Sequence, residues 1–349
     1  MALNTSGQIS IGGAVVGQSI NLELTLSATA NSSLNQADFR TLAGVASGVI
    51  ALSNFYGKSF STTTQRGIFG NAIGGIPGNV TNLVSNTGVI AGNVAGVGYS
   101  ATSRAGATYG GDKGIFGFGV GSNSINLISN TGVQTSSGAT AGTARGLLGA
   151  TSYGGDKAIF GFGESGSRTN ITNLVSNTGV VAGDTAGVGT SRNNLTGIAY
   201  GGDKGLFGFG QQGSNTQIGV VNRVSNTGVV ASDAGGLGTA RRRYGSCTYG
   251  TDKGYFWGGL TGSNSRQSMA NQISNTGVVS SDIATGLTAR QFHLGMGYGG
   301  DKGITAYGLE SSAVVVQNLI TNTGVIGSNT GCAGPSNAGW RGSLGYAFV

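Results

Sequence analysis

The tetrapeptide Asn-Thr-Gly-Val begins at Asn86, Asn130, Asn177, Asn226, Asn275 and Asn322, at intervals of 44, 47, 49, 49 and 47 residues. A beat this regular means one supersecondary unit used six times, each burying its apolar face against a neighbour. A second marker keeps time with it. Tyr-Gly-Gly-Asp-Lys starts at Tyr109, Tyr153, Tyr200 and Tyr298, and Tyr249 opens the variant Tyr-Gly-Thr-Asp-Lys.

The repeat from Arg192 gives the local structure. Apolar pieces such as Leu195–Tyr200, Gly205–Gly210 and Val221–Val224 are about 4 to 8 residues long, the length of strands and too short for stable helices. Gly-Gly-Asp-Lys and Ser-Asn-Thr-Gly separate them, and Gly, Asn and Asp accept the positive φ of tight hairpin turns. Each repeat therefore predicts a four-stranded antiparallel meander. Composition agrees: 70 glycines with no three-residue period and only 2 prolines exclude collagen, and 38% hydrophobic residues recurring in phase argue against disorder.

Six such units predict an all-β fold, a six-bladed β-propeller over residues 61–349. The first repeat starts at Gln65-Arg-Gly-Ile-Phe-Gly70 without the strand that precedes Asp-Lys elsewhere, and Arg341–Val349 reads as that missing strand. The C-terminal segment is thus expected to complete the first blade. The stretch Thr239–Gly259, with an arginine opening a strand, a short turn, an aromatic strand and a double glycine, resembles the kelch motif. Only this repeat keeps the double glycine, so the likeness is kelch-like and divergent, and it implies a propeller without an activity.

Residues 1–60 carry no copy of the repeat and read as a separate module. Ser6–Gly13 and Gly17–Leu24 alternate as strands. Asn35–Leu42 reads as a short helix, with Asn35 as N-cap and Asp38 near its positive end. Ser6-Gly-Gln-Ile-Ser, Ile20-Asn-Leu-Glu-Leu, Arg40-Thr-Leu-Ala-Gly-Val and Leu52-Ser-Asn-Phe-Tyr-Gly-Lys-Ser together resemble the N-terminal module of virion structural proteins of tailed phages, particularly those of cyanobacteria. That resemblance implies docking to other virion proteins through residues 1–60, assembly in the host cytoplasm, an oligomeric place in the particle, and outward display of the repeat array. A tail-fibre adhesin gripping host surface polysaccharide is the leading expectation. A capsid or tail decoration protein is the close alternative, and a surface-glycan depolymerase the enzymatic one.

In a meander the turns alternate between two rims. The Asp-Lys and Asn-Thr-Gly turns share one, and the loops after the aromatic strand share the other, where they differ in length and chemistry. Arg168, Gln211, Gln212, Arg266, Glu164 and Glu310 lie in those variable loops and are the candidate contacts, because specificity lives in loops held by a rigid scaffold. Arg145, Arg192, Arg241, Arg290 and Arg341 open the equivalent strand in five repeats; the first has Ala101 there, with Arg104 three residues on. This arginine ring is either a structural clamp on carbonyls or a grip for carboxylates and phosphates.

Other chemistry is thin. Asp112, Asp156, Asp203, Asp252 and Asp301 are turn residues, and Asp184, Asp233 and Asp282 recur at one period as further turn-formers, leaving Glu164 and Glu310 as the non-repeated acids of the array. A glycosidase needs a close carboxylate pair. His293 is the only histidine, so neither a multi-histidine metal site nor a Ser-His-Asp triad is expected. Gly57-Lys-Ser59 has Leu52 where a phosphate loop needs glycine, and the Gly161 and Gly208 matches to the dinucleotide pattern precede no helix. No catalytic residue, metal or cofactor is expected. The charge of +7 is spread along the chain, with only Arg241-Arg-Arg243 concentrated, so no nucleic-acid stripe is read. No apolar run reaches the roughly 18 residues of a membrane span, and the start lacks a secretion signal, so a soluble chain without membrane insertion is expected. Cys247 and Cys332 occupy non-equivalent places, which argues against a repeated disulfide framework.

Overall fold

The computed structural model describes residues 3–15, 17–24, 26–45, 47–56, 67–70, 80–99, 101–140, 142–334 and 342–345. The chain divides into two compact units, Met1–Thr63 and Thr64–Phe348.

Among the described residues the second unit is all-β, with six antiparallel sheets of three or four strands. Sheet II is Ala105–Tyr109, Lys113–Gly117, Ser124–Ile128 and Gln134–Thr140; sheet IV is Thr196–Tyr200, Lys204–Gly208, Val220–Val224 and Ala234–Gly235; sheet VI is Leu294–Tyr298, Lys302–Ala306, Val316–Ile320 and Thr330–Gly331. Sheet III (Gly149–Tyr153, Lys157–Gly161, Thr172–Val175) and sheet V (Gly245–Tyr249, Lys253–Trp257, Ala270–Ile273) have three strands, not the four expected. Their fourth segment touches the sheet only at single bridges, such as Thr172 to Thr185 and Ala270 to Ile283. Side-chain hydrogen bonds from Asn173 and Asn271 also hold that segment. Sheet I joins Gly67–Gly70, Val80–Val84 and Val94–Ala95 to Gly342–Gly345 from the far end of the chain, with Gly67 opposite Gly345 and Gly70 opposite Gly342.

First strands of successive sheets are neighbours from Ala105–Tyr109 through to Leu294–Tyr298, which meets Gly342–Gly345, which in turn meets Ala105–Tyr109. Glycine sets how closely they approach. A Cβ on Gly197 would collide with the Ala150 carbonyl, and one on Gly295 with the Ser246 carbonyl, so these inner strands lie nearer than any side chain allows. Between sheets the core is aromatic: Phe118 meets Phe160, Phe162 meets Phe207, and Phe209 meets Phe256, with ring centroids 5.1 to 5.4 Å apart.

Backbone hydrogen bonds tie neighbouring sheets at both ends of the first strands. At the Asp-Lys turns, the Gly110, Gly154, Gly201 and Gly250 N–H groups donate to the Asp156, Asp203, Asp252 and Asp301 carbonyls of the next sheet at 2.6 to 2.8 Å. At the opposite edge Ser103, Leu147, Asn194, Arg243 and Phe292 are all left-handed, with φ of 53° to 58°. There Leu147 N–H donates to Ser103 O, Asn194 to Leu147, Arg243 to Asn194 and Phe292 to Arg243, at 2.8 to 3.2 Å.

The first unit packs Leu3, Ile9, Ile20, Leu24, Phe39, Leu42, Ala43 and Phe55 into its own core. Residues 17–24 are not a strand. Ser19 Oγ accepts from Leu22 N–H at 3.3 Å and starts the helical turn Ile20–Glu23, which places Ile20, Glu23 and Leu24 together in the interior. The helix expected at 35–42 is found at Ala37–Ala43. Asn35 lies outside it and does not cap it: its Oδ1 accepts from Arg40 Nε and Nη2 at 3.1 and 2.7 Å.

Candidate functional site

Each lead-in to a first strand is held by a repeated set of buried polar groups. The motif Thr-x-Arg precedes sheets III to VI as Thr143/Arg145, Thr190/Arg192, Thr239/Arg241 and Thr288/Arg290. The four arginines lie four residues before their strands and are 0 to 1% exposed. Arg145 donates through Nε to Phe162 O at 2.8 Å and through Nη2 to Asn173 Oδ1 at 2.6 Å. Arg192 repeats this with Phe209 O at 2.7 Å and Asn222 Oδ1 at 2.6 Å. Arg290 Nη2 also donates to Asn318 Oδ1. Arg241 departs, reaching Thr239 O and Phe256 O at 3.1 and 3.3 Å. These bonds stay within one sheet, while each guanidinium lies over an aromatic ring of the preceding sheet: Phe118, Phe162, Phe209 and Trp257, at 4.0 to 5.1 Å. Burial pushes Arg145, Arg192 and Arg241 down to about 10, which leaves them charged at neutral pH.

Arg145, Arg192, Arg241 and Arg290 thus spend their buried guanidinium bonds on acceptors of their own sheets. Arg104 serves the same end in sheet II from a shifted place, donating to Tyr99 O at 2.7 Å and to Phe116 O and Ser124 O at 2.9 Å. Arg341 lies outside the described residues.

A further repeated member of this network is uncharged. Asn82, Asn126, Asn173, Asn222, Asn271 and Asn318 are all fully buried on the third strands. Five of them donate nine residues ahead to a backbone carbonyl at 3.0 to 3.1 Å and eleven ahead to Asn93, Asp184, Asp233, Asp282 or Asn329 at 2.9 to 3.0 Å. Asp184, Asp233 and Asp282 also accept from the backbone and hydroxyl of Thr143, Thr190 and Thr239. They are thus not turn-formers but anchors that pin the outer segment of the sheet to its lead-in. The asparagines fall four residues before each Asn-Thr-Gly-Val, so the sequence does carry a signal for them.

At the Asp-Lys edge, Asn130 Nδ2 donates to Asp112 Oδ2 at 3.1 Å and Asn322 Nδ2 to Asp301 Oδ2 at 3.0 Å, so the two repeated turns do share an edge. Gly88, Gly179, Gly228, Gly277 and Gly324 sit at positive φ against a tyrosine ring of the adjacent sheet. The fourth residue of the tetrapeptide behaves otherwise. Val89, Val133, Val180, Val229, Val278 and Val325 are 49 to 66% exposed, six times over.

The opposite edge holds the variable loops. Glu164–Ser165 pairs with Ser167–Arg168 as a small hairpin. Asn193 Nδ2 donates to the Glu164 carboxylate. Gln211 is buried, because its Nε2 donates to Gly213 O and Ser214 O at 2.8 and 2.6 Å and so shapes its own loop; it is not a free contact. Gln212 and Arg266 lie outside the core, and Glu310 is half-buried beside Arg290. Glu164 and Glu310 belong to sheets III and VI and engage different partners. His293 is buried just before its strand, with Nε2 accepting from Gly245 N–H at 3.2 Å and the ring edge-on to Trp257; burial, then Arg290, pushes it down to about 3, so it is neutral.

A cavity of about 190 Å³ lies between the first strands of sheets II to VI, lined by small residues such as Gly106, Ala150, Gly197 and Gly245, with Leu147, Asn194, Arg243 and Phe292 at its loop-edge end. Among the described residues no group of three or more His, Cys, Asp or Glu is placed to hold a metal ion, and no helix is long and apolar enough to cross a membrane. No protein-family model matches the chain, and no curated protein sequence matches it.

Proposed function

We propose that the second unit is a six-bladed, kelch-like β-propeller completed by Gly342–Gly345, and that it works as a non-enzymatic recognition module displayed on a tailed-phage virion. Residues 1–60 attach it to other virion proteins, and the loop edge meets a host surface glycan. The observation that carries this reading is the contrast between the two edges. One is consumed by repeated bonds, from Asp-Lys to Asn-Thr-Gly and from sheet to sheet. The other carries loops that differ from sheet to sheet, held on a scaffold fixed by buried arginines, which is how recognition surfaces are built.

The test is binding of the full-length protein to cyanobacterial cells and to their extracted envelope polysaccharide. Saturable binding is expected. Absence of binding, together with particles that fall apart when the protein is omitted, would replace adhesion with a decoration role. Glycan cleavage that disappears in Glu164→Gln or Glu310→Gln would replace it with a depolymerase.

A further inference from the structure

The loop edge gathers three arginines that the repeat itself does not require. Arg168 ends the sheet III hairpin, and Arg242 and Arg243 follow the buried Arg241 into sheet V. At the places of Arg242 and Arg243 the neighbouring lead-ins have Gly146 and Leu147, Asn193 and Asn194, Gln291 and Phe292, so the extra cations belong to one sheet alone.

The elements that carry them are stitched together. Asn193 binds the Glu164 carboxylate, Asn194 Nδ2 donates to Asn193 Oδ1 at 3.1 Å, and the Arg243 N–H donates to Asn194 O at 3.1 Å. Arg243 stands 4.7 Å over the Phe292 ring at the end of the cavity. Arg242 is only 7% exposed; one Nη2 bond reaches Asn264 Oδ1 at 2.6 Å, and its buried Nε has no partner. Arg168 has a buried Nε without a partner as well. Glu164 stands opposite Arg168 in the hairpin but gives its carboxylate to Asn193. The charges feel one another. Burial first, then Arg168, lowers Arg242, and burial first, then Arg242, lowers Arg243.

Like charges brought together, with orphaned donors on Arg168 and Arg242, cost free energy that an anion would return. We propose that Arg168, Arg242 and Arg243 form a binding site for an oxyanion carried on a carbohydrate, either a uronate carboxylate or a sulfate ester. The planar guanidinium fork matches both groups. The site rests on the recognition role proposed for the loop edge and names its ligand class.

Isothermal titration of the full chain with oligogalacturonate, dextran sulfate and neutral dextran tests it, with a DNA duplex as a fourth titrant. Binding of oligogalacturonate or dextran sulfate but not dextran is expected, weaker at high salt, and the stronger of the two identifies the anion. Arg168→Gln should weaken it about tenfold, equivalent to ~1.4 kcal/mol, whereas Lys204→Gln, at the opposite Asp-Lys edge, should not. Thermal unfolding of Arg168→Gln should match the parent. Unchanged affinity in Arg168→Gln, failure of both anionic polymers to bind, or tighter binding of the duplex would overturn the site. Cell binding that survives Arg168→Gln removes the site and leaves display intact; polymer binding without cell binding does the reverse.

Discussion

Arg192 and Asn222 are both wholly buried, and Nη2 of the arginine donates to Oδ1 of the asparagine at 2.6 Å. The asparagine in turn donates to Ala231 O and Asp233, so one amide joins the lead-in, the third strand and the outer segment of sheet IV. Asn222→Leu keeps the number of side-chain heavy atoms but strips the buried cation of an acceptor. A loss of about 3 kcal/mol is expected from urea unfolding of the full chain. Combining it with Arg192→Met should cost less than the sum of the two single changes, since neither residue is then left with an unmet partner.

That network separates what is legible in the sequence from what is hidden. The strand-turn rhythm is readable because glycine and asparagine at turns are demanded by local backbone geometry. The pairing of Gly67–Gly70 with Gly342–Gly345 follows from a strand missing at one end and present at the other. Arginine is harder to read, because its usual place is the surface; only the hydrogen-bond partners reveal that Arg145 and Arg192 are interior. Asn173 and Asn222 are lost among many polar residues, although they keep the 49-residue beat of Asn177 and Asn226. Ile20–Glu23 reads as strand because a short alternating pattern also fits a single helical turn with a serine cap. The candidate site shows the same division: the variable loops are identifiable, but the buried state of Gln211 and the coupling of Arg168 to Arg242 depend on how the loops fold back.

The tetrapeptide turn offers a contrast between adjacent positions. Gly228 has φ +85°, and a Cβ there would stand 2.9 Å from the Tyr153 ring of the neighbouring sheet. Gly228→Ala should cost about 2 kcal/mol or more by denaturant unfolding. Val229, 66% exposed, makes no such demand, and Val229→Ser should stay within about 0.5 kcal/mol of the parent.

His293 supplies a pH dependence near neutrality. Its ring is buried and pushed down to about 3 from an ordinary value near 6.5, so the unfolded chain binds a proton that the folded chain refuses. Stability from this group is fully present above about pH 6.5 and falls with acidification by at most about 1.4 kcal/mol per pH unit until the folded value is reached. Denaturant midpoints measured between about pH 6.5 and 4.5 should decline, and His293→Phe should flatten that decline.

Acid acts a second time through the anchoring carboxylates. Burial pushes Asp184, Asp233 and Asp282 upward, but donors from Thr143, Thr190 and Thr239 and from the buried asparagines outweigh it, and all three end below the ordinary range. A depressed carboxylate stabilises the fold above its unfolded value, near pH 4, and that stability is lost as pH falls through the folded value. Unfolding should therefore steepen below about pH 4, where the carboxylate loss adds to a histidine loss that continues to about pH 3. Asp233→Asn should be less stable than the parent at pH 7 by about 1 to 2 kcal/mol, because charge-assisted bonds from Thr190 and Asn222 become neutral ones. Below about pH 4 the gap between the two proteins should close, since protonation makes the parent carboxyl resemble the amide. A gap that persists at low pH would mean that packing, and not ionisation, makes Asp233 matter.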